Sequence, residues 1–159
     1  MNAELKDNLI CQIDKLHARH ESFANLTPDF FDPGNMEFLD KVDGSIDDNK
    51  NGIIRFEVKG TRYDGRTELI EKVHAGDIVK IVRDEKNAYN SNNFYVSSIS
   101  GKDLGNLPAE LCNAVAPLFD LGELRIDKAF VSYVEPLSKR SRNAKQAMLF
   151  VEIDFCLSV

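Results

Sequence analysis

Cysteine and histidine are scarce in this chain, three of each among 159 residues. Cys11, Cys112 and Cys156 are far apart, odd in number and form no CxxC pair, which excludes a disulfide framework or a zinc knuckle as the organising feature. The bland reading is three reduced, partly buried thiols. No apolar run approaches the ~18 residues that a membrane-spanning helix needs. Residues 1–7 have no basic stretch leading into an apolar one, which reads as cytoplasmic. No GxSxG, P-loop or HExxH motif occurs, and His17, His20 and His74 give a nucleophile little to pair with. The expectation is therefore a protein that is not an enzyme and carries no metal and no other cofactor. Internal repeats and low-complexity tracts are also lacking.

What is present is enough apolar residue, 43%, to build a real core. The net charge of −6 looks wrong for a nucleic-acid binder, but its distribution matters more. Residues 1–57 hold 6 Lys/Arg against 12 Asp/Glu, whereas residues 58–159 hold 14 against 14. All the excess acid thus lies in the first third, and a local basic face can exist on the rest.

Leu5, Leu9, Ile13, Leu16, His20 and Phe23 recur at steps of three or four, the spacing of one helix face. Thr27-Pro28-Asp29 offers a second helix start, and Met36, Leu39 and Val42 a further short piece. Asp43 to Gly52 is polar, and the linker is placed at residues 47–53, between an acidic helical segment (1–46) and a second domain (54–159). From Ile53 the pattern becomes alternating, with strands expected over 53–59, 77–83, 94–99, 125–135 and 146–157 and a helix over 108–119. Short strands with an inserted helix suggest a mainly β fold, a small closed barrel.

Four pieces, in order, resemble the HIRAN family. They are Phe56-Glu57-Val58-Lys59-Gly60-Thr61-Arg62-Tyr63, the strand from Gly76 to Arg83, Asn87-Ala88-Tyr89-Asn90 with its sequel to Val96, and Gly101-Lys102-Asp103-Leu104-Gly105-Asn106-Leu107-Pro108. The resemblance implies an OB-like or SH3-like β-barrel with one or two inserted helices. It also implies binding of single-stranded DNA or DNA ends, with the 3′ end as the finer target, in DNA repair or genome maintenance. Family members occur attached to helicase-like remodellers, so a helicase or nuclease partner is expected. Carried over by motif, Arg62 and Tyr63 meet phosphate and base, Tyr89 stacks on the terminal nucleotide, and Asn90 faces its hydroxyl. Asn87 and Asn106 belong to the same motifs. Two positions depart from the family pattern: Ala88 replaces a proline, which loosens the turn, and Asn90 replaces an aspartate, exchanging an ionised acceptor for a neutral one.

The residues argue the same way by themselves. Single-strand binders combine aromatic platforms with cationic grooves. Arg62, Tyr63 and Arg66 share one expected loop, and Lys86, Asn87, Tyr89 and Asn90 another. The bland alternative is that both tyrosines cap the ends of the barrel. Lys139-Arg140-Ser141-Arg142-Asn143-Ala144-Lys145 is the most basic window and falls between two strands. It is either an electrostatic arm for a phosphate backbone or a solvated hairpin tip. A rival reading is a protein-interaction module in which the first helix makes a homodimer. Two decoys are set aside. Asp47 to Val58 starts like a calcium-binding loop but has Val58 where the bidentate Glu should be. Cys11, Asp14, His17 and His20 do not share one helix face.

Overall fold

The computed structural model describes residues 4–9, 11 and 51–158. Two antiparallel three-stranded sheets make up the domain. In the first, β1 (Asn51–Glu57) and β5 (Leu124–Glu135) flank the central β6 (Met148–Leu157). In the second, β3 (Asn93–Ser98) lies between β2 (Val79–Asp84) and β4 (Asp103–Asn106). Helix α1 (Arg66–Ile70) follows β1, and α2 (Ala109–Asp120) joins β4 to β5.

Alternation explains the strands. Ile54 and Phe56 of β1 face inward, opposite Ile153 and Val151 of β6. Burying a side chain of that size removes ~1.5–3 kcal/mol of exposed apolar surface from water. The outward residues of β6 are buried as well: Phe150 is 2% exposed, and Glu152 pairs with the buried Arg55. In α2, Leu111, Val115 and Leu118 face the core at steps of four and three. Leu5 and Leu9 belong to or pack against the same core, so this part of the first helical stripe is covered by its own domain. Ile13, Leu16, His20 and Phe23, the segments at Thr27 and Met36, and most of the acidic segment and linker lie outside the described residues. So do Asp47, Asp48 and Asn49 of the calcium-loop decoy and the Asp14–His20 cluster.

The mainly β reading stands, and the two sheets meet at both edges through isolated bridges. Their seams are single bridges, Lys59 with Asn106 and Ile78 with Phe130. At the first seam Gly105 has φ +139°, and a Cβ there would sit 2.6 Å from the Lys59 carbonyl oxygen. Only glycine allows the two backbones to approach so closely. The second seam adds bonds from Gly76 N to Val131 O (2.7 Å) and from Val131 N to Asp77 O (2.8 Å). Three elements were not expected: β4, α1 and a 3₁₀ turn at Leu137–Lys139. β4 is too short to alternate visibly, and α1 is a single turn inside what reads as a loop. β1 also starts inside the expected linker, because the backbone of Asn51 and Gly52 pairs with Cys156 and Phe155. Among the described residues no helix is long and apolar enough to cross a membrane.

Candidate nucleic-acid interface

The turn after β1 presents Arg62 and Tyr63, both exposed, with Tyr63 at 61%. The Arg62 guanidinium stands 6.0 Å from the Tyr63 ring centroid, at the outer limit of a cation–π contact. The turn is built from beneath. Gly60 adopts φ +75°, and its carbonyl accepts from Tyr63 N (3.2 Å) and from Arg66 Nη1 (3.0 Å). Arg66 Nη2 then donates to Asp103 Oδ2 at 2.9 Å. Thr61 is fixed too: its hydroxyl donates to Ala147 O (2.8 Å), and its carbonyl accepts from the Thr67 hydroxyl (2.6 Å).

Arg66 is therefore not the outward phosphate contact expected of it. Only 8% of its surface is exposed, and its Nη1 and Nη2 bond the turn and β4. It lies on α1, whose first residue faces inward.

The loop between β2 and β3 presents Tyr89 at 99% exposure, with Lys86 exposed beside it. Four asparagines in seven residues, 87–93, build this loop. Asn87 Oδ1 accepts from Tyr89 N (2.9 Å) and Asn90 N (3.0 Å), a side chain imitating a turn. Asn87 Nδ2 donates to Asp84 at 3.1 Å. Asn90 Oδ1 accepts from Asn92 N, while Asn90 Nδ2 and Asn92 Nδ2 both donate to Asn113 Oδ1 on α2, at 3.1 and 3.2 Å. Both ends of the Asn87 and Asn90 amides are thus engaged in holding the loop. Asn90, expected to face a sugar hydroxyl, has both ends of its amide bonded already, to Asn92 N in the loop and to Asn113 on α2.

The two loops are linked through hydrogen bonds. Asn93 Nδ2 donates to Asp84 Oδ2 (3.0 Å) and to Asn106 Oδ1 (3.1 Å). Asn106 exchanges backbone bonds with Lys59 in both directions, at 2.8 and 2.9 Å, and Lys59 precedes Gly60. From Tyr89 N an unbroken chain therefore runs through Asn87, Asp84, Asn93, Asn106 and Lys59 to the Gly60 carbonyl that holds Tyr63 N. Asn106 serves as the link in this chain.

Arg83, unremarked in the sequence, roots the second loop. Its Nη1 donates to Ser91 O (2.8 Å) and Asn93 O (3.1 Å), and its other nitrogens take both Asp120 oxygens at 3.0 and 2.9 Å. Hydrogen bonds from Arg83 hold the Asp120 carboxyl below its ordinary range, and the same bonds raise Arg83. The guanidinium also covers the Phe94 ring, 5.3 Å from its centroid. Beneath, burial pushes the Cys112 thiol up to about 11, so it stays protonated at neutral pH. Among the described residues no group of three or more His, Cys, Asp or Glu is placed to hold a metal. The density of asparagine around Tyr89 was a readable signal for turn-building side chains. Asn113 gave none, because its role depends on how α2 packs.

The family model for the HIRAN domain matches residues 51–151. The chain belongs to the HIRAN family. The matched span runs from the first residue of β1 into β6 and includes both tyrosine loops. In structure, this HIRAN domain is similar to that of human HLTF in its crystal form, with a TM-score of 0.50 at 23% identity over 70% of this chain and 84% of that one. A protein from Lactobacillus plantarum is similar with a TM-score of 0.50 at 19% identity, over 65% of this chain and 97% of that one. The HLTF HIRAN domain in its DNA-bound conformation, determined by NMR, is similar with a TM-score of 0.44 at 25% identity, over 67% of this chain and 77% of that one. Identities this low speak to fold alone. No curated protein matches the chain.

Proposed function

We propose that this HIRAN domain is a binding module for single-stranded DNA and DNA ends, acting by stacking and not by catalysis. The observation that carries the reading is Tyr89, 99% exposed on a loop whose conformation is fixed by side-chain amides. The loop backbone that carries the ring is held by hydrogen bonds before binding, so less order must be imposed when a base stacks. Bases stack on such a ring whatever their identity. Tyr63 supplies a second platform. Arg62 and Lys86 are exposed and have no ion-pair partner among the described residues, which suits them to phosphate oxygens. Arg66, Asn87, Asn90, Asn93 and Asn106 then act as scaffold. DNA repair or genome maintenance, beside a helicase or nuclease, is the setting that this reading favours.

Capture of a 3′-hydroxyl wants a strong acceptor. Asn90 offers a neutral oxygen that already accepts from Asn92 N, so stacking and phosphate contacts dominate and end preference is the smaller component.

The test is fluorescence anisotropy with single-stranded oligonucleotides, free or blocked at the 3′ end, over a salt series. Affinity should fall steeply with salt. Tyr89→Ala should weaken binding by ~1–3 kcal/mol, roughly 5- to 150-fold, with an unchanged unfolding midpoint. Equal affinity of variant and parent would remove Tyr89 from the interface. Absence of binding at low salt would overturn the reading and leave a protein-interaction module in its place.

A further inference from the structure

We propose that the basic loop between β5 and β6 is a second half of this interface and takes the phosphate backbone of a longer single strand. The inference rests on the stacking reading above and extends it to a surface that none of the motif residues occupies.

The position of the loop carries the argument. Thr61, 1% exposed, stands immediately before Arg62 and Tyr63, and its hydroxyl donates to Ala147 O at 2.8 Å. Ala147 is the residue at which the basic loop ends. Arg140 closes the loop across its base, donating to Gln146 O at 2.7 Å and standing 3.6 Å from Glu135 Oε1. The tyrosine turn and the loop are thus fixed against one another through Thr61, Ala147, Gln146 and Arg140. A purely solvated hairpin tip would require neither bond.

Charge gives the position its meaning. Residues 137–147 contain four cations and no acid. Arg140 is committed to the loop base. Lys139, Arg142 and Lys145 are exposed, and none has an ion-pair partner among the described residues. Two carboxylates are bonded at the base of the loop. Glu135 faces Arg140 and accepts from the Tyr133 hydroxyl at 3.1 Å, and Glu71 accepts from Ser138 N at 3.4 Å. Three exposed cations beside Glu71 leave this surface with a surplus of positive charge, and Thr61 and Ala147 join its base to the turn that carries Tyr63. A strand whose bases stack on Tyr89 and Tyr63 would run its next phosphates along Lys139, Arg142 and Lys145.

Anisotropy on the full chain with oligonucleotides of roughly 4 and roughly 16 nucleotides, spanning the site sizes of small single-strand binders, reads this directly. The parent should bind the longer strand more tightly and with a steeper salt slope. R142Q/K145Q should lose most of that gain and flatten the slope on the longer strand by about 1.4, two contacts at ~0.7 each. R142E/K145E should reduce affinity for the longer strand further. Both variants change only exposed side chains and spare Arg140, so the fold is retained. Binding by the parent with the same slope in both variants would overturn the extension while leaving the tyrosine platform intact. Absence of binding by the parent at either length would overturn both.

Discussion

The two tyrosine loops each rest on an arginine but differ in what else holds them. The Tyr63 turn is held from below by one buried guanidinium and two buried hydroxyls, from Arg66, Thr61 and Thr67. The Tyr89 loop is held mainly by amides of Asn87, Asn90, Asn92 and, on α2, Asn113, which lie at or near the surface, with the Arg83 guanidinium bonding its far end at Ser91 and Asn93. Bonds to a buried charge are worth more than bonds between half-wet amides, which trade readily for water. The difference implies a division of labour. The first turn is part of the fold, and its loss is a loss of stability. The second is a preorganised attachment, and its loss is mainly a loss of binding.

Arg66→Met tests the first half of that contrast and should have the largest effect on stability. It deprives the Gly60 carbonyl of one of its two donors and leaves Asp103 without its guanidinium. Because Asp103 can re-solvate, being 46% exposed, a loss of roughly 2 kcal/mol is expected, seen as a lower denaturation midpoint at constant slope. A variant with unaltered midpoint but weakened DNA binding would return Arg66 to the interface and break the contrast.

Arg66 also marks where the sequence misleads. Type and spacing identify it as a loop arginine beside a tyrosine. Nothing local reveals that residues 66–70 turn into a helix that points it inward, since a five-residue helix has no stripe to read. Longer elements were legible, because periodicity accumulates. β5, β6 and α2 lie within two residues of their expected ends. β4 was hidden, for a strand of four residues containing a glycine alternates too briefly. The exposed tyrosines were legible as motif residues flanked by polar neighbours. The link between them was not, because it runs through Asn93, Asn106 and Asp84, which meet only when β2, β3 and β4 pair. The seams between the two sheets depend on isolated bridges between distant residues and leave no pattern.

Asn93→Ala probes that link and should have an intermediate effect. Asn93 is 6% exposed and joins Asp84 to Asn106. Its removal leaves Asp84 with the Asn87 amide and Asn106 Oδ1 without its donor, for about 1 kcal/mol of stability. Hydrogen exchange over residues 85–92 should quicken, and DNA affinity should fall a few-fold as the loop must be ordered on binding. Exchange that quickens with affinity held constant would show that the Tyr89 platform owes nothing to its scaffold.

The smallest effect belongs to Asp120, at the root of the same loop. It is the last residue of α2, where the negative end of the helix dipole opposes a carboxylate. The hydrogen bonds from Arg83 reverse that preference and hold the carboxyl below its ordinary range. A depressed value in the folded state means the stabilisation is present above the ordinary carboxylate range, ~3.9, and is lost as pH falls through the depressed value. Since Asp120 is 51% exposed, screening keeps the contribution to roughly 1 kcal/mol or less. Asp120→Asn should therefore lower the midpoint slightly and evenly from about pH 5 to pH 8, with the difference from the parent closing as pH falls through the depressed value. A difference that persists in acid would mean that Arg83 needs the shape of the carboxylate fork and not its charge. Arg83 would then hold Ser91 and Asn93 through geometry alone, and the Tyr89 loop would keep its form across the whole pH range.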